Sequence, residues 1–369
     1  MRILHVTDTY LPRLGGIELH VSDLARRQQA AGHDVTVLTA ERLPPEGSGI
    51  GVGPRVERVR SGAVPRGVAT AIAPLLSELR PDVVHAHLSV GSPFAWTALR
   101  ATEGMPVMVS MHSLLPRSAA LVRAGIRALR LPTGRIHFTA VSSAAAGRLE
   151  AALPPGTSVH VLHNGIDQAA WQVAHREAPG LRILSVGRLV ARKRPLVLVE
   201  ALAELQALAP GLRWSATLIG DGSQRRRVLE AIHAYGLGDR VQLPGALSRG
   251  QIRDHLATSD VFVAPATLES FGIAALEARC AGVPVVGMAA SGVTEFITHE
   301  VDGLLARTDA DLARSLLRVA SEPLLVAAMR RHSATTAVGM NWDAVLEEHD
   351  RVYQALQGVP APAFAARRS

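Results

Sequence analysis

The feature that most constrains the fold is an alternation, repeated along most of the chain, of a short β-branched segment, a turn and a helical pattern. In the first half the predicted strands are residues 2–7, 34–39, 82–87, 107–111, 136–141 and 159–162. In the second half they are residues 182–187, 215–220, 241–243, 261–265 and 284–287. Such alternation predicts parallel sheets with helices on both faces. The sequence therefore predicts an α/β protein with two doubly wound, Rossmann-like domains facing a cleft.

The length of 369 residues also favours two domains over one. The domain boundary is placed at Asn164-Gly-Ile-Asp167, where the chain turns into a more polar stretch before the second series of strands and helices. The predicted segments are residues 1–165, residues 166–342, a final helix over 343–357 and a flexible tail over 358–369. Further predictions are helices over 16–32 and 69–79 and a long loop over 42–66.

The cysteine content and the lengths of the apolar runs indicate the cellular compartment of the protein. Cys280 is the only cysteine, which excludes an internal disulfide and fits a reducing environment. The first residues run into a strand-like segment without a signal-peptide cleavage pattern, and no apolar run reaches the ~18–20 residues that a membrane-spanning helix needs. We therefore expect a cytoplasmic protein, with at most a peripheral contact at the inner face of the cell membrane.

The positive charge is uneven along the chain. The net charge is +7, and residues 1–160 hold 17 arginines against 11 acidic residues, whereas the remainder holds 22 basic and 21 acidic residues. Residues 104–149 contain no Asp or Glu but include Arg117, Arg123, Arg127 and Arg130 interleaved with apolar residues. A solvated helix face is one interpretation. The absence of acids favours the other, an anionic acceptor or an anionic membrane surface.

Lys193 is the only lysine among 39 basic residues, the other 38 being arginine. It follows Arg188 by five residues, in the predicted turn between a strand and a helix that begins near Pro195. Two cations at such a turn can hold a diphosphate. The alternative is a solvated basic loop, since Arg192 and Arg194 are also present. The presence of the chain's one lysine in this turn favours a binding site that needs a compact ammonium group rather than a guanidinium.

Two carboxylates follow a later predicted strand. Glu269 is placed in the loop after the strand over 261–265, and Glu277 in the second turn of a helix that begins near Gly272. Carboxylates accept hydrogen bonds from vicinal hydroxyls, which ribose and hexoses both supply. The alternative is a helix-capping glutamate followed by a solvated one.

Gly15-Gly16 follows the first predicted strand and opens the first helix, where glycines let the backbone approach a phosphate. An ordinary tight turn is the alternative, and the absence of GxGxxG after this strand argues against a dinucleotide cofactor. Three histidines, His85, His87 and His112, also lie at the ends of predicted strands. A metal site is disfavoured because no carboxylate or cysteine completes the set, but His112 is placed where a ligand-binding residue is expected.

Together these residues resemble the GT-B glycosyltransferases of family 4, over nearly the whole chain. The strongest match is Glu269-Ser-Phe-Gly-Ile-Ala-Ala-Leu-Glu277, which has the form of that family's E-x7-E motif. The supporting stretches are Gly15-Gly-Ile-Glu-Leu-His20, Pro81-Asp-Val-Val-His-Ala-His87, Val141-Ser-Ser, Asn164-Gly-Ile-Asp167 and Val186-Gly-Arg-Leu-x3-Lys193. The family often has Gly-Gly-x-x-Glu where this chain has Ser291-Gly292-Val-Thr-Glu295, so one glycine is missing.

The resemblance implies a nucleotide-sugar site. By that resemblance, Arg188 and Lys193 hold the donor diphosphate with help from the Gly16 backbone, while Glu277 binds the donor ribose. It also implies a second domain that binds the donor, a first domain that binds the acceptor, and a final helix that packs back on the first domain.

The resemblance further implies that Glu269 and the backbone of Phe271–Ile273 hold the transferred hexose, and that His112 lies beside that sugar in the reaction centre. The implied reaction is retaining, from a UDP-sugar or GDP-mannose, with no metal or other cofactor. The acceptor is expected to be a sugar, a lipid-linked molecule or a phosphorylated molecule, and no nucleic acid partner is expected. A non-catalytic nucleotide-sugar binding protein and a nucleotide-sugar epimerase are the alternatives.

Overall fold

The computed structural model describes residues 1–13, 15–41, 53–59, 65–115, 119–128 and 133–358. Contacts divide the chain into two compact units. The first unit comprises Met1–Gly165 together with the chain from Trp342 onward, and the second comprises Ile166–Asn341. The chain therefore leaves the first unit once and returns to it.

The first unit is built on seven strands. They are β1 (Arg2–Thr7), β2 (Asp34–Thr39), β3 (Arg55–Arg58), β4 (Val83–Leu88), β5 (Val107–Met111), β6 (Ile136–Ala140) and β7 (Val159–Val161). The helices of this unit that precede Gly165 are α1 (Gly16–Ala30), α2 (Pro65–Leu79), α3 (Pro93–Ala98), α4 (Ala119–Ala128) and α5 (Ser143–Glu150). All strands pair in parallel in the order β3-β2-β1-β4-β5-β6-β7. The order reverses at β1, so the loops after β1 and β4 flank the switch point where such sheets bind ligands.

The second unit repeats this plan with six strands. They are β8 (Leu181–Val186), β9 (Trp214–Ile219), β10 (Val241–Gly245), β11 (Val261–Ala264), β12 (Val285–Met288) and β13 (Gly303–Ala306). Its helices are α6 (Gln168–Trp171), α7 (Pro195–Leu208), α8 (Arg225–Ala234), α9 (Arg249–Leu256), α10 (Ile273–Cys280), α11 (Asp309–Ser321) and α12 (Pro323–Thr335). The strands are parallel in the order β10-β9-β8-β11-β12-β13, so the switch point lies at β8 and β11.

The last helix, α13 (Trp342–Leu356), packs within the first unit. The Trp342 ring stacks on His20 of α1 with ring centroids 5.6 Å apart, and Tyr353 is completely buried. Both side chains are large, and burying them contributes a few kcal/mol each to holding the helix in place. Among the helices in the described parts of the chain, none has the length and apolar character needed to cross a bilayer.

Two secondary-structure predictions were wrong. The predicted loop over 42–66 contains strand β3, and α2 already begins at Pro65; residues 42–52 and 60–64 lie outside the described residues. Strand β3, Arg-Val-Glu-Arg, was missed because it is an edge strand with a single apolar residue. Strand β13 was also missed, since its four residues Gly-Leu-Leu-Ala show no alternation. The tail beyond Gly358 lies outside the described residues.

Candidate functional site

In the second unit, the loop after β8 carries the predicted diphosphate clamp. Arg188 is exposed, and a single 3-10 turn over Ala191–Lys193 leads to α7. Arg194 adopts the left-handed conformation with φ 55°, and its guanidinium donates to the carbonyl of Pro265, 3.1 Å away, just after β11. Non-glycine residues in this conformation are uncommon and are held by their surroundings. The loop that carries Lys193 is thus tied to the end of the neighbouring strand.

Lys193 pairs with Glu269. The Lys193 ammonium donates a hydrogen bond to Oε2 of Glu269, and the two side chains are 27% and 14% exposed. Burial by itself would raise the pKa of the Glu269 carboxyl, but the charge and hydrogen bond of Lys193 outweigh burial, and the pKa is lowered. The structure therefore brings together two residues that the sequence placed in one site, and it holds Glu269 ionised at neutral pH.

The loop of Arg188 rests on a second loop, which sequence reasoning missed. The Leu189 amide donates to the carbonyl of Asp221, 2.8 Å away, and the Gly187 amide donates to Ile219 at 2.9 Å. Gly220 has φ 134°, and a Cβ placed there would overlap the carbonyl oxygen of Gly187. Only glycine permits this approach of the two backbones. The signal in the sequence was Gly220-Asp-Gly222, which begins at the last residue of the predicted strand over 215–220.

The loop that carries Glu269 leads into α10. Phe271 is buried, and Gly272, with φ 96°, is the N-cap residue before the first helical residue, Ile273. Glu277 lies in the second turn of the helix and is 8% exposed. The structure therefore places Glu269 in the loop and Glu277 in the second helical turn, as predicted, and it also shows that Gly272 adopts a positive φ, which favours glycine.

The run Ser291-Gly292 packs against this loop. The Gly292 amide donates to the carbonyl of Glu269, 2.8 Å away, and a Cβ at Gly292 would overlap the carbonyl of Ser270. Ser291 has an extended backbone with φ −117°, and its hydroxyl donates to the carbonyl of Met288 at 2.7 Å. The backbone of the Glu269 loop therefore approaches Gly292, the second glycine of the family pattern, which this chain retains. Position 291, where the first glycine is replaced by serine, has room for a side chain.

In the first unit, Gly15-Gly16 lies at the start of α1. Gly15 is the N-cap residue in an extended conformation, and the helix begins at Gly16. Glu18 in the first turn is buried and lies 3.4 Å from Arg13. The backbone amides of this turn point out of the helix end, as phosphate binding requires.

His112 follows β5 in the first unit and is 7% exposed. Its backbone amide donates to Leu88, 2.8 Å away, and its Nε2 lies 3.0 Å from Nδ1 of His87. Burial lowers the pKa of His112 to about 3. The imidazole is therefore neutral at pH 7 and can both donate and accept a hydrogen bond.

A close cluster of histidines lies next to His112. One ring nitrogen from each of His5, His85 and His87 lies within 4.8 Å of the others, a spacing that could hold a metal ion. However, all six ring nitrogens of these residues already have hydrogen-bond partners. A metal ion would have to displace a partner from each ring. Sequence reasoning missed His5, because a histidine inside a buried strand gives no signal of its own.

The basic segment forms α4 in part. Ile126 is buried in the core of the first unit, Arg123 donates to the carbonyl of Ala151 at 2.7 Å, and Arg127 is exposed. Arg117 and Arg130 lie outside the described residues. Arg123 and Arg127 are therefore both exposed, and Arg123 also stabilises the fold through its hydrogen bond to Ala151.

Two family models match the chain. The model "Glycosyltransferase Family 4" matches residues 14–170, and the model "Glycosyl transferases group 1" matches residues 168–336. This chain belongs to the GT-B glycosyltransferases of family 4. The alternatives of a non-catalytic binding protein and an epimerase are set aside, because the members it matches are transferases.

Relatives in this family align over almost their whole length. The chain is 27% identical over 388 residues to D-inositol 3-phosphate glycosyltransferase 1 of Catenulispora acidiphila, covering 93% of this chain and 92% of the relative. It is 26% identical to the GDP-mannose-dependent alpha-(1-6)-phosphatidylinositol monomannoside mannosyltransferase of Mycobacterium tuberculosis, covering 92% and 93%.

Solved structures of glycosyltransferases share the fold. Alr3699/HepE of Anabaena, crystallised with UDP and glucose, superposes with a TM-score of 0.79 at 18% identity, covering 96% of this chain and 100% of that one. A glycosyltransferase from Rickettsia africae superposes with a TM-score of 0.76 at 19% identity, covering 96% and 98%. The two-domain α/β architecture predicted from the sequence is thereby confirmed.

Proposed function

We propose that this glycosyltransferase transfers a hexose, with retention of configuration, from a nucleotide-diphosphate sugar. The observation that carries the proposal is the pairing of Lys193 with Glu269 at the carboxyl ends of β8 and β11. A diphosphate needs a cation and sugar hydroxyls need an acceptor, and this pair supplies both at the switch point of a parallel sheet. Donor binding then replaces the contact between the two residues by one contact of each with the donor.

In this proposal the donor nucleotide lies along the same edge of the sheet. Arg188 and Lys193 bind the diphosphate, Glu277 binds the ribose hydroxyls, and the Phe271–Ile273 backbone holds the hexose together with Glu269. The exposure of Arg188 supports its role because its guanidinium is accessible to a phosphate, and the burial of Glu277 supports ribose recognition by a fixed acceptor. The Gly15-Gly16 backbone provides a further anion-binding helix start.

The proposed chemistry uses fixed charge. As the bond between the anomeric carbon and the phosphate oxygen breaks, negative charge grows on the diphosphate and is stabilised by Arg188 and Lys193. The acceptor hydroxyl attacks the same face, its oxygen bonds to the anomeric carbon, and its proton passes to the leaving phosphate. By the family resemblance, we propose that His112 belongs to the reaction centre. We propose that no metal ion or other cofactor takes part.

The names of relatives support particular substrates. The Mycobacterium tuberculosis relative is named for GDP-mannose and for phosphatidylinositol monomannoside, and Alr3699/HepE was crystallised with UDP and glucose. We propose GDP-mannose or a UDP-sugar as donor and a phosphorylated or lipid-linked acceptor. The exposed Arg127 supports an anionic acceptor on the first unit, reached by a cytoplasmic enzyme in peripheral contact with the membrane.

A donor screen followed by turnover tests the proposal. Thermal shifts are measured with UDP, GDP, ADP and TDP and their sugars, because a ligand that binds the native state raises its melting temperature. The selected nucleotide-sugar is then incubated with and without 10-fold excess EDTA while nucleotide diphosphate release is followed. NMR of the product reads the anomeric configuration. Inversion refutes retention, and loss of activity in EDTA that added Mg²⁺ restores refutes the metal-free reaction.

Variants test the site itself. We expect Lys193→Ala and Glu269→Ala each to lower kcat/KM by about 10²–10³-fold, the loss typical of a removed charge-stabilising group. The matched control is Arg226→Ala, which removes a cation of the same unit whose side chain is 88% exposed on α8. Circular dichroism confirms that each variant is folded. Full activity in both site variants would overturn the proposal.

A further inference from the structure

Arg194, in the second unit, has a backbone conformation that its own sequence does not favour. Its φ of 55° and ψ of 45° lie in the left-handed region, which is less favourable for any residue with a Cβ than for glycine. Pro195 follows directly, and a proline disfavours the right-handed helical region for the residue before it, so an extended backbone is the ordinary choice here. The surrounding structure therefore holds Arg194 in its turn.

Two contacts of the Arg194 side chain hold this turn. Nη1 donates to the carbonyl oxygen of Pro265, 3.1 Å away, and Nη2 donates to Oδ2 of Asp309 at 2.5 Å. Pro265 is buried and directly follows strand β11, whereas Asp309 is the first residue of α11. Because the nitrogens of a guanidinium lie in one rigid plane, two contacts fix both its position and its orientation.

The turn at Arg194 decides where Lys193 lies, because the helix that follows the turn is fixed by the core. Helix α7 begins at Pro195, and its residues Leu198 and Leu202 are buried in the core of the second unit. A change of Arg194 to the extended conformation would alter the direction in which the chain enters this helix. The 3-10 turn that carries Lys193 would then swing away from its present place.

Arg194 and Lys193 make two neighbouring links between the same two loops. Lys193 donates to Glu269, and Arg194 donates to Pro265, four residues earlier in the loop after β11. The backbone of Glu269 is held separately, because the Gly292 amide donates to the Glu269 carbonyl. Each member of the pair therefore has its own backbone support, Gly292 for the glutamate and Arg194 for the lysine.

We propose that Arg194 is a positioning residue that keeps the Lys193 ammonium in place for the donor diphosphate. The inference rests on the proposed function, in which Lys193 binds the diphosphate and donor binding separates it from Glu269. The contacts of Arg194 with Pro265 and Asp309 involve neither member of the pair, so they keep the loop in place when the pair separates. Less conformational freedom is then lost when the diphosphate binds.

The single lysine of the chain allows a direct test. In the full chain labelled with ¹⁵N at the lysine side chain alone, Lys193 gives the one ammonium resonance, so no assignment is needed. Hydrogen exchange of this ammonium is slowed while a carboxylate accepts from it, so the resonance and its exchange rate report the pair with Glu269. Glu269→Ala provides the reference spectrum for a broken pair.

The variants separate positioning from folding. Arg194→Ala and Arg194→Gly both remove the two side-chain contacts, but glycine tolerates the left-handed conformation and alanine does not. Asp309→Ala removes one of the two anchors without altering the loop. Arg192→Ala is the matched control, because Arg192 is exposed and donates to the carbonyl of Leu268 in the same neighbouring loop.

UDP and GDP are titrated into each variant by calorimetry, and the nucleotide that the thermal screen selects is compared. We expect Arg194→Ala and Arg194→Gly to give the lysine resonance of Glu269→Ala and to weaken nucleotide binding about tenfold or more. Asp309→Ala should weaken it less. Arg192→Ala should keep the resonance and bind within about twofold of wild type.

Thermal melts of the same variants distinguish a local effect from a loss of folding. Arg194→Gly should melt at a higher temperature than Arg194→Ala yet bind the nucleotide no better, because both lack the contacts that place Lys193. An unchanged lysine resonance in both variants overturns the inference. Wild-type nucleotide affinity in Arg194→Gly overturns it as well.

A double variant asks whether Arg194 acts through Lys193. In a Lys193→Ala background, Arg194→Gly should weaken nucleotide binding by less than about twofold further, since residues that act together are not additive. A full further loss would show that Arg194 acts on the fold or binds the nucleotide itself, and the inference would be wrong.

The outcome is separable from that of the proposed function. If Lys193→Ala weakens nucleotide binding but Arg194→Gly and Arg194→Ala do not, the inference fails and the role of Lys193 stands. If Lys193→Ala binds UDP and GDP as the wild type does, the donor site proposed for Lys193 is refuted, and this inference is refuted with it.

Discussion

Lys193 and Glu269 are 76 positions apart in the chain, yet the ammonium of one donates to the carboxylate of the other. The pair lies at the end of two adjacent parallel strands, β8 and β11, and is only partly exposed. An ion pair in this setting is held more firmly than one at the surface, because screening by solvent is reduced. Each residue is therefore already charged and placed when a donor arrives.

The first prediction concerns the single lysine. We expect Lys193→Arg to lower donor affinity by at least about tenfold, because a planar guanidinium is larger than an ammonium and cannot take its place beside Glu269 and a phosphate. The matched control is Arg192→Lys at the neighbouring position, where the exposed side chain contacts the carbonyl of Leu268. Calorimetric titration with the donor nucleotide measures both. Equal affinity in Lys193→Arg and wild type would show that a lysine is not required.

The second prediction concerns the missing glycine. Gly292→Ala forces a Cβ against the carbonyl of Ser270 and should displace the Glu269 loop, raising the donor KM and lowering the free energy of unfolding by roughly 1–3 kcal/mol. Ser291→Gly, which restores the common glycine, only removes the hydrogen bond to Met288, worth about 1 kcal/mol, and leaves KM unchanged. Urea unfolding and initial rates give both quantities. If Ser291→Gly raised KM and destabilised the fold more than Gly292→Ala, Gly292 would not be the position of close backbone contact.

The third prediction concerns the loop beneath Arg188. Gly220→Ala places a side chain at φ 134° against the Gly187 carbonyl, and we expect it to destabilise the second unit by roughly 2–4 kcal/mol and to weaken diphosphate binding. Gly238→Ala is the control, because no heavy atom lies within 4 Å of a Cβ built there. Differential scanning calorimetry with and without nucleotide compares them. Similar melting temperatures would show that the two loops can separate at little cost.

The fourth prediction concerns acid stability. Burial lowers the pKa values of His5, His112 and His349 to about 4, about 3 and about 4. Below about pH 6.5 the unfolded chain binds protons at these sites and the folded chain does not, so stability falls as the pH falls, by up to ~1.4 kcal/mol per pH unit for each histidine.

This acid sensitivity belongs to the first unit, where these residues lie. After equilibration at pH 7 and pH 5, a pulse of hydrogen exchange at one fixed pH, read by mass spectrometry, compares the two sheets. We expect β1 and β4 to lose protection at pH 5 before β8 and β11 do. Loss in the reverse order would mean that the histidines are not neutral in the folded chain.

The fifth prediction concerns the acceptor. Arg127→Glu should raise the KM for an anionic acceptor by about tenfold, because it replaces attraction by repulsion at an exposed position of α4. The same change at Arg226, on α8 of the second unit, controls for total charge. We expect the effect to shrink at high salt. An acceptor KM that responds equally to both variants would assign the effect to net charge alone.

Much of the fold could be predicted because it is local. Strands such as β1, β2 and β5 were predicted with the observed bounds, since a buried parallel strand is a continuous apolar run between turns. Edge strand β3 could not be found this way, because half of its residues are arginine and its pairing with β2 is its main support. Apolar periodicity carries no information about backbone pairing at a sheet edge.

The candidate site divides in the same way. Glu269 and Glu277 could be found from a loop-to-helix pattern, and Lys193 because it is the only lysine of the chain. The contact between Lys193 and Glu269 could not, because it depends on β8 and β11 being neighbours in the sheet. His5 could not be found because it is one histidine in a mostly apolar strand, and Gln28 could not be found because it is one of many polar residues on α1. Their partners come from distant strands and helices, and sequence spacing does not record those distances.

The buried hydrogen bonds that Tyr353 makes with Gln28 and His85 of the first unit have a consequence for the order of synthesis. Tyr353, whose hydroxyl contacts both Gln28 and His85, lies in the last turn of α13 and leaves the ribosome after the entire second unit. Until then His85 has no hydroxyl donor at Nδ1 and Gln28 has no phenol to receive its amide proton. The half of the enzyme that is translated first is therefore the half whose hydrogen bonds are completed last, because it waits for α13.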